Sequence, residues 1–188
     1  PLPSLPPLLP PILATLRGAE LSQPYFRDGR FTGDSVIDGN DATLCLADAG
    51  LNHWVQVQVA SGTPVVSVTV TNRVDEYSAW LGRFEVYVGE EGWSYPNVTG
   101  ELCGEGGYDA TNQAQKYVIV CPKRLHGSYV IIRHAASSIS SLFSIAEVEV
   151  TAAGGVQEMI AIDFSLAAIG SVEMLRGNNF TRNLAREL

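Results

Sequence analysis

Trp54-Val55-Gln56-Val57-Gln58-Val59, followed shortly by Val65-Val66-Ser67-Val68-Thr69-Val70-Thr71, places valine at every second position against glutamine, serine or threonine. Side chains of an extended chain point alternately to opposite faces, so this pattern buries one face and leaves the other polar. Between the two runs, Gly62 and Pro64 mark a break. Phe84 to Val88, Lys116 to Cys121, Ser128 to Arg133 and Ile145 to Thr151 mostly repeat the alternation, and Gly, Asn, Asp and Pro separate them. No long amphipathic helix interrupts the series. The sequence therefore predicts an all-β, antiparallel β-sandwich of the jelly-roll kind, with a Pro-rich N-terminal arm and a C-terminal extension.

The flanks read differently from the strands. Residues 1 to 11, rich in Pro and Leu, lack the amide donors that a helix or central strand needs and are expected to run as polyproline II. The organisation expected is an arm or linker over 1–18, a sandwich over 19–152 and an extension of uncertain structure over 153–188. Ala152-Ala153-Gly154-Gly155 punctuates the last boundary.

Composition excludes some function classes. The net charge of -8, with twelve Lys and Arg spread singly, offers no basic stripe for nucleic acid or anionic membrane. The apolar stretch from Met159 to Val172 is interrupted by Asp163 and is too short to span a bilayer. The chain begins at Pro1, and is expected to be a processed or excerpted piece of a longer protein. Three cysteines imply one bridge and one odd thiol, and two Asn-x-Thr sequons, at Asn97 and Asn179, fit a secreted or cell-surface glycoprotein.

Arg73 and Asp75 stand at the end of the second alternating run, where a sandwich presents its loops. A guanidinium oriented by a carboxylate offers directed donors suited to sugar hydroxyls. Tyr77 and Trp80 follow, and aromatic faces can stack on a sugar ring or anchor a protein partner. Asp38-Gly39-Asn40 is a turn rich in oxygen donors, an ordinary turn signal by itself.

Taken together, Asn72-Arg73-Val74-Asp75, Val36-Ile37-Asp38-Gly39-Asn40, Cys103, Cys121 and Glu147-Val148-Glu149-Val150 give the chain a resemblance to the F-type lectin (fucolectin) family over roughly residues 19–152. The resemblance implies a sugar site at Arg73 and Asp75, a Cys103–Cys121 bridge, and a structural calcium ion. Calcium would be held by the side chains of Asp38 and Glu147, the carbonyls of Ser35, Asn40 and Ala146, and the Thr43 hydroxyl. The family's sugar motif also carries a His upstream and a second basic residue downstream. Here the first position falls on Leu46, or Ala47 with a gap, and the second on Trp80; His53 and Arg83 are out of register. Ordinary fucose recognition is therefore expected to be lost or altered, with Tyr77, Trp80 and Leu46 making the loop more apolar. The family's partner position for Cys45 is Ala146, which leaves Cys45 free, buried or paired between molecules, with burial the commonest fate of a lone cysteine.

Catalysis is not expected. His126 and His134 fall in strand or turn contexts suited to surface roles, without a Gly-x-Ser-x-Gly elbow or metal-type spacing. The functional expectation is a non-catalytic extracellular module that binds a glycan or glycoprotein. It would contact other protein subunits through the arm and the extension. Two alternatives stand beside it: an assembly module of a wall, filament or ciliary-surface glycoprotein, and an accessory domain of a secreted enzyme.

Overall fold

The computed structural model describes residues 9–25, 29–48, 50, 52–93, 99–111, 115–135 and 142–154. These belong to one compact unit that closes at Gly154. Its strands are β1 (Ile12–Leu13), β2 (Gly18–Leu21), β3 (Cys45–Ala47), β4 (Trp54–Thr71), β5 (Arg83–Gly89), β6 (Glu101–Gly107), β7 (Lys116–His134), β8 (Phe143–Ile145) and β9 (Glu147–Ala152). Every pairing is antiparallel. The main sheet runs β1-β9-β4-β7-β5-β6 with β2 on β4, and β3 pairs with β8. This is a jelly-roll β-sandwich.

The two expected strands on either side of Gly62 and Pro64 are one 18-residue strand, β4. Gly62 takes a positive φ of 69°, and the register with β7 shifts between Gln58 and Thr63. A bulge of this kind bends a strand without ending it. The first part of β4 pairs with β2 and the end of β7, the second part with β9 and the start of β7. The strands expected at 116–121 and 128–133 likewise form one strand, β7, continuous through Pro122. The main sheet thus folds across a single core. Val55, Val57 and Val59 of the first part and Val65, Val68 and Val70 of the second are all buried in it, with Phe84, Val86, Ile132 and Phe143.

Two further expectations change. β1 pairs Ile12 with Ala152 and Leu13 with Thr151, while Ala14 and Leu16 pack on the core, so the end of the arm is part of the sheet. His134 is buried at 4 % exposure and stacks on Phe143, because the β7 alternation continues inward to its last residue. Its surface role is withdrawn; His126 does lie exposed, with Nδ1 3.2 Å from the Gly62 carbonyl. Residues 1–8, 155–188, Asn97 and Asn179 lie outside the described residues.

Candidate functional site

The chain leaves β4 through Asn72, which closes the following loop at both ends. Its backbone N–H donates to the Gln115 carbonyl at 2.7 Å, and its side-chain Nδ2 donates to the Ser78 carbonyl at 2.9 Å. A 3-10 turn over Ser78–Leu81 then sinks Leu81 fully into the core. Gly82, at φ 56°, turns the chain into β5, and its carbonyl accepts the Tyr108 N–H at 2.8 Å. Arg73 therefore stands on a loop braced from three sides.

Within that loop Arg73 and Asp75 form a bidentate pair, with Nε to Oδ1 at 2.6 Å and Nη2 to Oδ2 at 2.5 Å. Asp75 Oδ1 also accepts the Tyr77 N–H at 3.2 Å. The bonds from Arg73 hold the Asp75 carboxyl below the usual carboxylate range. The guanidinium carbon lies 5.2 Å from the centroids of both Tyr77 and Trp80, whose rings are 4.5 Å apart. All four residues expected at the ligand site are thus in one cluster. Its base is Arg73, with a side chain 14 % exposed; its outer surface is Tyr77 and Asp75, each 43 % exposed.

Leu46 does not join this surface. It lies in β3 with 4 % exposure, and its carbonyl is occupied by the Tyr25 N–H. The out-of-register basic candidates are also elsewhere. His53 is 1 % exposed, and the Arg83 guanidinium is 3.8 Å from Glu105.

The second constellation gathers oxygens. The Thr43 hydroxyl lies 3.0 and 2.7 Å from the two Asp38 carboxylate oxygens, 2.8 Å from the Asn40 carbonyl and 3.5 Å from the Ser35 carbonyl. One hydroxyl has one proton to donate, so four acceptors at these distances are under-supplied with positive charge. The Asp38 carboxylate also accepts the Asn40 N–H at 2.9 Å, which fixes the turn. Glu147 faces the same turn from β9 at 5 % exposure, beside the backbone N–H groups of Gly39 and Asn40. Its Oε2 has no partner among the described residues. Burial, with Asp38 close by, pushes this carboxyl up to about 7.

A buried carboxylate oxygen without a donor, beside a crowded set of oxygens, fits a hard cation. Among the described residues no three His, Cys, Asp or Glu side chains stand together as a metal centre. The set offers two carboxylates, a hydroxyl and carbonyls, which is calcium chemistry rather than transition-metal chemistry. Asp38, Thr43 and Glu147 would hold the ion by their side chains and Ser35 and Asn40 by their carbonyls. Ala146 directly precedes Glu147, and its N–H is committed to the Thr71 carbonyl at 2.9 Å.

Cys103 and Cys121 are bridged, tying β6 to β7. Cys45 is free and buried, and burial pushes its thiol up to about 12, so it is inert as a nucleophile. Sequence reasoning missed the polar face of the main sheet. There Arg133 pairs with Glu85 and lies over the Tyr87 ring, and Trp54 stacks with Trp93 at 5.9 Å. Only the strand register, which sets Trp54, Arg133 and Glu85 in one row, brings these residues together.

Comparison with known proteins agrees with this architecture. No curated protein matches the chain. Among solved structures, the fucolectin from striped bass (Morone saxatilis) serum superposes with a TM-score of 0.61 at 21 % identity, covering 71 % of this chain and 46 % of that one. The family 32 carbohydrate-binding module of Clostridium perfringens NanJ, solved with galactose, gives 0.57 at 20 %, covering 71 % and 91 %. The lectin domain of lectinolysin, solved with Lewis B antigen, gives 0.57 at 20 %, covering 72 % and 92 %. At these identities the likeness concerns the fold. The model of the F5/8 type C domain matches residues 19–148, and the chain belongs to that family.

Proposed function

We propose that this chain is a non-catalytic, extracellular glycan-recognition module whose loop end takes a saccharide other than fucose. The observation that carries the reading is the Arg73–Asp75 pair under the rings of Tyr77 and Trp80. It presents a neutralised, oriented guanidinium beside an exposed aromatic face. Tyr77 offers a ring to the C–H face of a sugar, Asp75 accepts from hydroxyls, and Arg73 donates what its bonds to Asp75 leave over. With no His and no second basic residue in the loop, the site has fewer charge-assisted donors than a fucose site of the F-type pattern. Domains of the same fold have been solved with galactose and with Lewis B antigen, which supports a glycan as ligand. Calcium, held at the Asp38 turn, would brace the neighbouring backbone without touching the sugar.

The test is a glycan array of the purified chain with and without calcium, repeated with Tyr77→Ala and Arg73→Ala. Glycan binding lost in both variants, each still folded, supports the proposal. A blank array from folded protein rejects it. A second reading, a structural module in a larger surface assembly, has one observation in its favour. Leu13, Val118 and Val120 are 67 %, 62 % and 70 % exposed on strands β1 and β7.

A further inference from the structure

Three strands have an end in one cross-strand row. β4 stops at Thr71, β9 starts opposite it at Glu147 on one side, and β7 starts opposite it at Lys116 on the other. Residues paired directly across antiparallel strands carry their side chains on the same face, so Thr71 stands between a carboxylate and an ammonium group. Both neighbours reach the turn that holds Asp38. Glu147 lies beside the N–H groups of Gly39 and Asn40, while Lys116 Nζ is 3.7 Å from Asp41 Oδ2 and 3.9 Å from Glu149 Oε1. The oxygen-rich turn therefore touches both flanks of the row that precedes the Arg73 loop.

The chain passes from this row into the loop through Asn72, which is 1 % exposed. Its N–H is bound to the carbonyl of Gln115, the residue before Lys116, and its side-chain amide to the carbonyl of Ser78. On the other flank the N–H of Ala146, the residue before Glu147, is bound to the Thr71 carbonyl. Opening the row frees Asn72, and freeing Asn72 removes the bond that closes the loop at Ser78. Strand ends are the first parts of a ladder to open, and this one carries a cost. Thr71 Oγ1, Asn72 Oδ1 and Glu147 Oε2 are all buried without a hydrogen-bond partner among the described residues. A buried polar group without a partner disfavours the closed state, a carboxylate most of all. A cation on Glu147 would remove the largest of these three penalties, so occupancy of the Asp38 turn favours the closed row.

We infer that the cation site and the Arg73 loop are coupled through this row. With Asp38, Thr43 and Glu147 engaged by a divalent cation, Thr71 and Asn72 are held closed, and the Arg73–Asp75 pair keeps its place against Tyr77 and Trp80. As a control of ligand binding, this coupling rests on the reading of that loop as the glycan site. It is reciprocal, so a glycan on the loop tightens the cation by the same factor by which the cation tightens the glycan.

The experiment is amide hydrogen exchange of the full chain in calcium and in chelator, without glycan. Calcium should slow the N–H groups of Ala146, Asn72, Ser78 and Trp80, bonded to the carbonyls of Thr71, Gln115, Asp75 and Tyr77, by about fivefold or more. Arg17 and Ser22, bonded to Gln58 and Trp54 on the far half of β4, should be unchanged, which separates coupling from a uniform gain in stability. In Asn72→Ala, calcium should still protect Ala146 but no longer Ser78 or Trp80. Protection of Ala146 without the loop, equal slowing at every site, or no response to calcium would overturn the inference, and the parent chain alone decides these should the variant not fold. Protection of the loop in a chain whose glycan array is blank would uphold the coupling and reject only the glycan reading. Glycan binding of equal strength in calcium and in chelator would do the reverse.

Discussion

Arg73 and Asp75 are joined by two parallel bonds of 2.6 and 2.5 Å, although only Val74 separates them. Residues two apart share one face of an extended backbone, and the Tyr77 N–H on Asp75 and the Asn72 amide on the Ser78 carbonyl fix the loop around the pair. Asp75 is therefore a positioning residue for Arg73 as well as an acceptor. Because the carboxylate is 43 % exposed, the pair itself contributes less than about 1 kcal/mol to stability. Asp75→Asn should leave the urea midpoint nearly unchanged while glycan affinity falls about tenfold, through loss of the charge-assisted bonds. A normal titration curve for Asp75→Asn would separate this pair from recognition.

Asp38, Thr43 and Glu147 predict a metal response with a definite sign. The raised Glu147 carboxyl, about 7 against an ordinary 4.5, means that the metal-free fold binds a proton more readily than the unfolded chain does. Stability from this group is thus full below about pH 4.5 and is lost as pH rises through 7. A calcium ion held at this turn would replace the proton, so saturating calcium should raise the melting temperature by about 5 °C or more at pH 8 and little at pH 5. Glu147→Gln should abolish the increment and, with chelator at pH 8, melt no lower than the parent chain. Differential scanning calorimetry at the two pH values measures both effects.

These two sites were unequally legible in the chain. The Arg73–Asp75 pair is local, so its two residues could be read directly from the sequence. Glu147 joins Asp38 only through β9, and without the family resemblance nothing in Asp38-Gly39-Asn40 distinguishes a cation site from a turn. In the fold, Val55, Val57, Val68 and Val70 were readable because all four are fully buried, as their alternation requires. The bend at Gly62–Pro64 was not, since Gly and Pro mark a bulge and a chain break with the same letters. β6 was invisible for a different reason. Glu101-Leu102-Cys103-Gly104-Glu105-Gly106-Gly107 has poor strand propensity, and its glycines answer to the side chains opposite them.

His134 predicts the acid limb. It is 4 % exposed, 5.0 Å from the Phe143 ring and 6.3 Å from His53. Burial, with a smaller contribution from His53, pushes it down to about 4. The unfolded chain therefore takes up a proton near pH 6.5 that the fold refuses until about 4. Stability should fall as pH drops through that window, by roughly 1 to 3 kcal/mol. His134→Phe should flatten this part of the profile, in urea melts between pH 7 and 4.5, even if its absolute stability changes. An unchanged slope would assign the acid sensitivity to other groups.

Gly106 and Phe84 test the packing argument. Phe84 is fully buried in β5 and faces Gly106 across the β5–β6 ladder. A Cβ on Gly106 would run into the Phe84 ring itself, and a ring so enclosed has no free rotamer to retreat into. Propensity alone favours alanine over glycine in a strand interior, by about 0.5 to 1 kcal/mol. The steric term is larger, so Gly106→Ala should destabilise the domain by about 1 to 3 kcal/mol. Gly62→Ala should also destabilise, though less, since its Cβ meets nothing within 4 Å and only its φ of 69° opposes the change. Chemical denaturation of the two variants ranks the terms. If Gly106→Ala proved the milder, the close approach of β6 to the Phe84 ring could not be what selects glycine there.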